Sequence, residues 1–152
     1  MLKKILPLIV ILNFLSNCEY KPIYSSSNKS NYQIIITDLS GDKKLNKYIV
    51  ENLKRNSQKN SVEIISIKIN SEYSREILAK NALGSITDYQ AIAISKFEIN
   101  KNEIIEEVVV SEKFNYQKIS DSYEEKSYEQ TIKRNLASSI SQKLIQRLSI
   151  IK

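Results

Sequence analysis

Towards the end of the chain, Tyr128, Ile132, Leu136, Ile140, Leu144 and Leu148 recur at every fourth position. A helix of about 3.6 residues per turn carries such a stripe slowly round its axis. It can be buried only against a long partner surface, and Ala137 and Ile145 broaden the apolar band. Packing on a sheet is the economical solution. Ser122 followed by Glu125 predicts a capping box at the start of this helix.

The upstream residues predict the sheet. Tyr32-Gln33-Ile34-Ile35-Ile36-Thr37 is β-branched and short, and Gly41-Asp42 ends it. Lys43 to Gln58 places Leu45, Tyr48, Ile49 and Leu53 at helical spacing, with Asp42 as its expected N-cap. Ser61 to Tyr73 alternates, with Ile65, Ile67, Ile69 and Tyr73 on one side. Ser74 to Gly84 reads either as a loop or as an extension of that strand, with Gly84 marking a turn or bulge. Ser85 to Ile99 is a long strand, Asn100-Lys101-Asn102 a hairpin turn, and Ile104 to Tyr116 the returning strand.

The expected order is β-α-β-β-β-α. The first helix is long enough to cross between parallel strands, with right-handed connection. The later strands should run antiparallel. The fold class is therefore α+β: a two-layer sandwich in which two helices cover one face of a four-stranded mixed sheet. With 152 residues there is room for one such domain, expected over residues 32–150. The other face of the sheet is left for solvent, lipid or a partner.

The start of the chain reads differently. Lys3 and Lys4 precede an apolar run from Ile5 to Leu15, well short of the ~20 residues a bilayer span needs. A basic start, a short apolar core and Ser16-Asn17 describe an export signal over residues 1–17. Leu15-Ser16-Asn17-Cys18 then resembles a bacterial lipobox, in which the cysteine becomes the acylated first residue, although Asn17 stands where Gly or Ala is usual. Cys18 is the only cysteine. Acyl chains there, palmitate among them, would embed at about 0.8 kcal/mol per CH₂. Residues 18–31 are then a lipidated tether, polar through Ser25-Ser26-Ser27-Asn28-Lys29-Ser30-Asn31. By analogy with enterobacterial sorting, Glu19 favours the periplasmic face of the outer membrane.

Composition removes several chemistries. Histidine is absent and the cysteine is single, so a Ser-His-Asp triad and a His- or Cys-based metal site are excluded. With only Gly41 and Gly84, no glycine-rich phosphate loop exists. Glu106 and Glu107 are neighbours on a strand and face opposite sides, so they cannot act as an acid/base pair. The expectation is a binding protein, not an enzyme, with no cofactor. Without Lys3 and Lys4, 21 basic residues face 17 acidic ones. No dense basic run with interleaved aromatics is present, which argues against nucleic acid.

Two segments carry a family resemblance. Cys18-Glu19-Tyr20-Lys21-Pro22-Ile23-Tyr24 resembles the Cys-Gly-Tyr/Phe-Lys/Arg-Pro-Leu-Tyr opening of the LptE family of lipopolysaccharide-assembly lipoproteins. Gly84-Ser85-Ile86-Thr87-Asp88-Tyr89-Gln90 is similar to that family's lead-in to a central strand. Tyr116 before a polar linker, the long final helix and the element order also fit. Glu19 replaces the usual Gly, and Asp88 stands where Arg is frequent. The resemblance implies a plug that helps an LptD-like outer-membrane β-barrel assemble and pass lipopolysaccharide to the cell surface. Arg75 and Lys80 are the candidate lipopolysaccharide contacts, set against ordinary solvated charge. The alternative reading is a periplasmic lipoprotein that activates or scaffolds an envelope enzyme.

Overall fold

A computed structural model describes residues 32–150. The expected signal at 1–17 and the tether at 18–31, Cys18 included, lie outside the described residues. The alternating segments form strands β1 (Tyr32–Gly41), β2 (Glu63–Lys80), β3 (Ile86–Lys101) and β4 (Ile104–Gln117), and the two apolar stripes form helices α1 (Lys43–Asn56) and α2 (Ser122–Leu148). The order is β-α-β-β-β-α, an α+β sandwich. The sheet runs β1-β2-β3-β4, with β1 and β2 parallel and the other two pairings antiparallel.

Side-chain alternation decides which face the helices cover. Ile65, Ile67 and Ile69 of β2 and Ala91, Ala93, Phe97 and Ile99 of β3 are buried beneath them. Leu45, Ile49 and Leu53 come down from α1, and Ile132, Leu136, Ala137, Ile140, Leu144 and Leu148 from α2. The small inward residues Ala91 and Ala93 of β3 leave room for α2, while α1 packs on β1 and β2. The drifting stripe is thus spent on two surfaces, since α2 packs on α1 as well as on β3 and β4.

Polar residues fix the joints. Asp42 Oδ1 accepts from the Leu45 N–H at 2.8 Å and caps α1. Asn46, buried on the inner side of α1, donates to the Ser40 carbonyl at 2.7 Å and accepts from the Ser71 hydroxyl at 2.6 Å. Gly41 has φ +87°, and a Cβ there would meet the Ser71 carbonyl oxygen at 1.9 Å. Only glycine allows that approach.

Two details differ from the sequence reading, and one open choice is resolved. The ambiguous stretch after Tyr73 is strand up to Lys80, ending in irregular register near Ala79. The hairpin turn sits at Asn102-Glu103, both with positive φ (50° and 68°), as a two-residue turn between twisted strands requires. The capping box is not formed. Asp121, not Ser122, is the N-cap of α2, and its Oδ1 accepts from the N–H groups of Tyr123 and Glu124 at 2.9 and 2.8 Å. A carboxylate suits the positive end of the helix dipole better than a hydroxyl. It also frees the Glu125 side chain for another partner.

Candidate interaction site

The far half of β2 carries Arg75 onto the helix-covered side of the sheet. Its guanidinium lies 4.3 Å over the Tyr89 ring and within 3.4 Å of Glu125 and 4.0 Å of Glu129 on α2. The Tyr116 hydroxyl faces the same group, and that contact first of all holds Arg75 in its charged form. Tyr89 and Tyr116 lie 5.7 Å apart, and Tyr116 meets Tyr128 edge-on at 5.8 Å, a geometry aromatic pairs favour. Burial raises the Tyr116 phenol, and Arg75 partly offsets it. Tyr73 is raised further, by burial and then by the Glu129 charge. Beyond it, Lys133 Nζ sits 4.0 Å over the Tyr73 ring and 2.9 Å from Asp42. Four tyrosines, two cations and three carboxylates thus line the seam between sheet and α2.

Arg75 is therefore not a loop charge. Lys80 is exposed at the end of β2, five residues on, and is not brought into the cluster. There the hairpin turns through Gly84 at φ +80°, with Asn81 Oδ1 accepting from the N–H groups of Leu83 and Ser85. Ile77, Leu78, Leu83 and Tyr123 are exposed at this same end of the sheet. The result is an apolar tip with a lysine beside it.

A second surface is the rim of the sheet. At β1 the outward backbone is met by α1 and its C-cap: Ser57 Oγ accepts from the Ile34 N–H, the Gln58 N–H reaches the Tyr32 carbonyl, and Asn46 reaches Ser40. At β4 the register with β3 is unbroken. The Lys118 N–H points back to the Thr87 carbonyl, so even-numbered residues face β3. The backbone groups of Ile105, Glu107, Val109, Ser111, Lys113 and Asn115 consequently point away from the sheet. Among the described residues no hydrogen bond from another element meets them. An open edge of this length is a template for another strand. Helix α2 is held above β4 by Lys143–Glu112 and by Arg147, whose Nε and Nη2 both donate to Glu106.

Among the described residues no group of three or more His, Cys, Asp or Glu side chains could hold a metal ion. No helix among them is long and apolar enough to cross a membrane.

No protein-family model matches the chain, and no curated protein matches it in sequence. Solved structures do. Rare lipoprotein B from Shewanella oneidensis aligns with a TM-score of 0.52 at 16% identity, over 74% of this chain and 97% of that one. The chain has the fold of a small bacterial lipoprotein. A minor lipoprotein from Acinetobacter baumannii gives 0.51 at 17% identity over 74% and 91%. A lipoprotein from Caulobacter crescentus gives 0.53 at 9% over 79% and 88%. The likeness is one of fold and covers nearly the whole of those chains.

The seam cluster was not apparent in the sequence. Its signal is parity: Tyr73, Arg75, Tyr89 and Tyr116 are all odd on β2 and β3 or even on β4, which puts them on the covered side.

Proposed function

We propose that this chain is a lipid-anchored envelope lipoprotein that acts by binding, in the manner of the LptE family, as a plug for an LptD-like outer-membrane β-barrel that passes lipopolysaccharide to the cell surface. Cys18 carries the lipid and holds the domain to the periplasmic face of the outer membrane. The observation that carries the reading is the pairing of a lipobox with a fold found in bacterial lipoproteins. Nothing in the proposed action needs a bond to be made or broken.

The open β4 edge and the apolar tip supply what a partner inside a barrel would meet: unpaired main-chain groups and exposed Ile77, Leu78 and Leu83. Lys80, next to that apolar tip, has the chemistry to contact a phosphate-bearing lipid. Arg75 already has the carboxylate partners Glu125 and Glu129, which leaves Lys80 the better placed of the two for such contact.

The test is co-purification from the native organism with a tag after Lys152. Recovery of a large outer-membrane barrel protein is the expected result. Recovery of peptidoglycan-modifying enzymes without a barrel rejects the plug. For the anchor, Cys18→Ala should abolish incorporation of a fatty-acid analogue, and continued labelling refutes the lipobox.

A further inference from the structure

We propose that the solvent face of α1 is a docking surface for an anionic phospholipid leaflet, and that it lays the domain down with its helices towards the bilayer and its open sheet face away. The inference does not rest on the barrel reading. It takes from the proposed function only that the chain works at a membrane.

The argument begins with where the charge lies. Helix α1 holds five basic residues, Lys43, Lys44, Lys47, Lys54 and Arg55, against the single acid Glu51. The remaining described residues hold 13 basic and 15 acidic ones. The positive charge of the domain is thus concentrated in one helix, and the rest is slightly acidic. At about 100° per residue, all five cations fall on one arc of the helix, opposite the buried Leu45, Ile49 and Leu53. All five are exposed. The Lys47–Glu51 pair, at 4.0 Å and largely in solvent, neutralises little.

The patch continues onto α2. Arg134 lies 5.3 Å over the Tyr48 ring. It shares a groove between the helices with Lys47, Arg55, Asn52 and Ser138, donors suited to headgroup phosphates, against the one carboxylate of Glu51. A second groove beside it sets Leu39 and Val50 among Lys43, Lys47 and Lys54, with Glu51 again the one acid. Cations round a small apolar strip are what a headgroup layer accommodates.

The attachment point agrees with this orientation. Tyr32, the first described residue, has its carbonyl accepting from the Gln58 N–H, just past the end of α1. The N-terminal end of the described domain therefore lies beside the end of α1 that carries Lys54 and Arg55. An acyl anchor and a basic patch are the two signals that together give stable membrane attachment.

The experiment uses the full chain with vesicles of phosphatidylcholine, with or without phosphatidylglycerol, and an impermeant amine-reactive reagent read by mass spectrometry. With phosphatidylglycerol, Lys43, Lys47 and Lys54 should become protected, while Lys96 and Lys113 on the open sheet face stay reactive. High salt should remove the protection. At about fivefold per cation, Lys47→Gln/Lys54→Gln/Arg55→Gln should weaken association about a hundredfold. Equal labelling on both vesicles, or protection of Lys96 and Lys113 instead, overturns the proposal. The mass of the N-terminal peptide in the same sample scores acylation of Cys18 separately, and no barrel is present, so failure of either part of the functional reading is distinguishable.

Discussion

Asp42 and Lys133 stand 91 residues apart in sequence and 2.9 Å apart in space. One oxygen of the carboxylate caps α1 while the other receives the ammonium from α2. A single side chain thus starts one helix and ties it to the next.

Asp42→Ala should therefore cost about 2 kcal/mol, a cap plus a partly screened pair. Asp42→Asn keeps a capping oxygen and should lose about half as much. Burial raises the Asp42 carboxyl, but the Leu45 N–H and Lys133 outweigh it and hold it below its ordinary 3.8. A carboxyl depressed on folding stabilises above its unfolded value and loses that contribution as pH falls through the folded one. Urea unfolding of the wild type should weaken below about pH 4, and the two variants should show a shallower acid limb. An unchanged limb in Asp42→Ala refutes the assignment.

The two glycines should both lose stability on gaining a methyl group, but by different amounts. At Gly41 the Cβ would collide with backbone at positive φ, so Gly41→Ala should cost about 3 kcal/mol or more. Gly84 has the same φ region but nothing within 4 Å. There Gly84→Ala should cost only about 1–2 kcal/mol, and Gly84→Asn less. Thermal melts of the three variants decide it, and similar losses at both sites count against the account.

Arg75→Gln should lower stability by roughly 1 kcal/mol, since its ion pairs are partly exposed and its aromatic contact is not replaced. It should also raise the Tyr116 titration, because burial then acts without the opposing guanidinium. Carbon NMR of labelled tyrosines measures both states. A Tyr116 titration that stays put means the guanidinium does not reach the hydroxyl.

Proline separates the two sides of β4. The Ser111 N–H points outward, so Ser111→Pro should leave the fold nearly intact yet prevent strand addition and lower barrel recovery. The Val110 N–H faces β3, and Val110→Pro should cost about 3 kcal/mol or more. If Ser111→Pro folds and still recovers the barrel undiminished, the edge is not the contact.

The architecture was legible because two periodicities carry it: the four-residue stripe ending at Leu148 and the alternation through Ile65, Ile67 and Ile69. The N-cap of α1 was legible for a local reason, an Asp just before a helical pattern. The cap of α2 was not, because Asp121 and Ser122 both qualify and only three-dimensional competition for Glu125 separates them. The partners of Arg75 were not legible for a similar reason. The sequence from Ser74 to Gly84 has no clean period, and its partners lie on β3, β4 and α2, distant in the chain. The basic face of α1 is visible residue by residue, but its isolation within an otherwise slightly acidic domain depends on where everything else folds.

Because the turn after α1 occupies the Tyr32–Ile34 stretch of one margin of the sheet and the opposite margin is bare, a neighbouring strand finds its longer free run on the β4 flank. Growth by successive addition, the route to fibrils, needs both margins and is hindered by that asymmetry. On the membrane surface proposed above, that asymmetry favours main-chain pairing with a different partner over pairing with further copies of the chain.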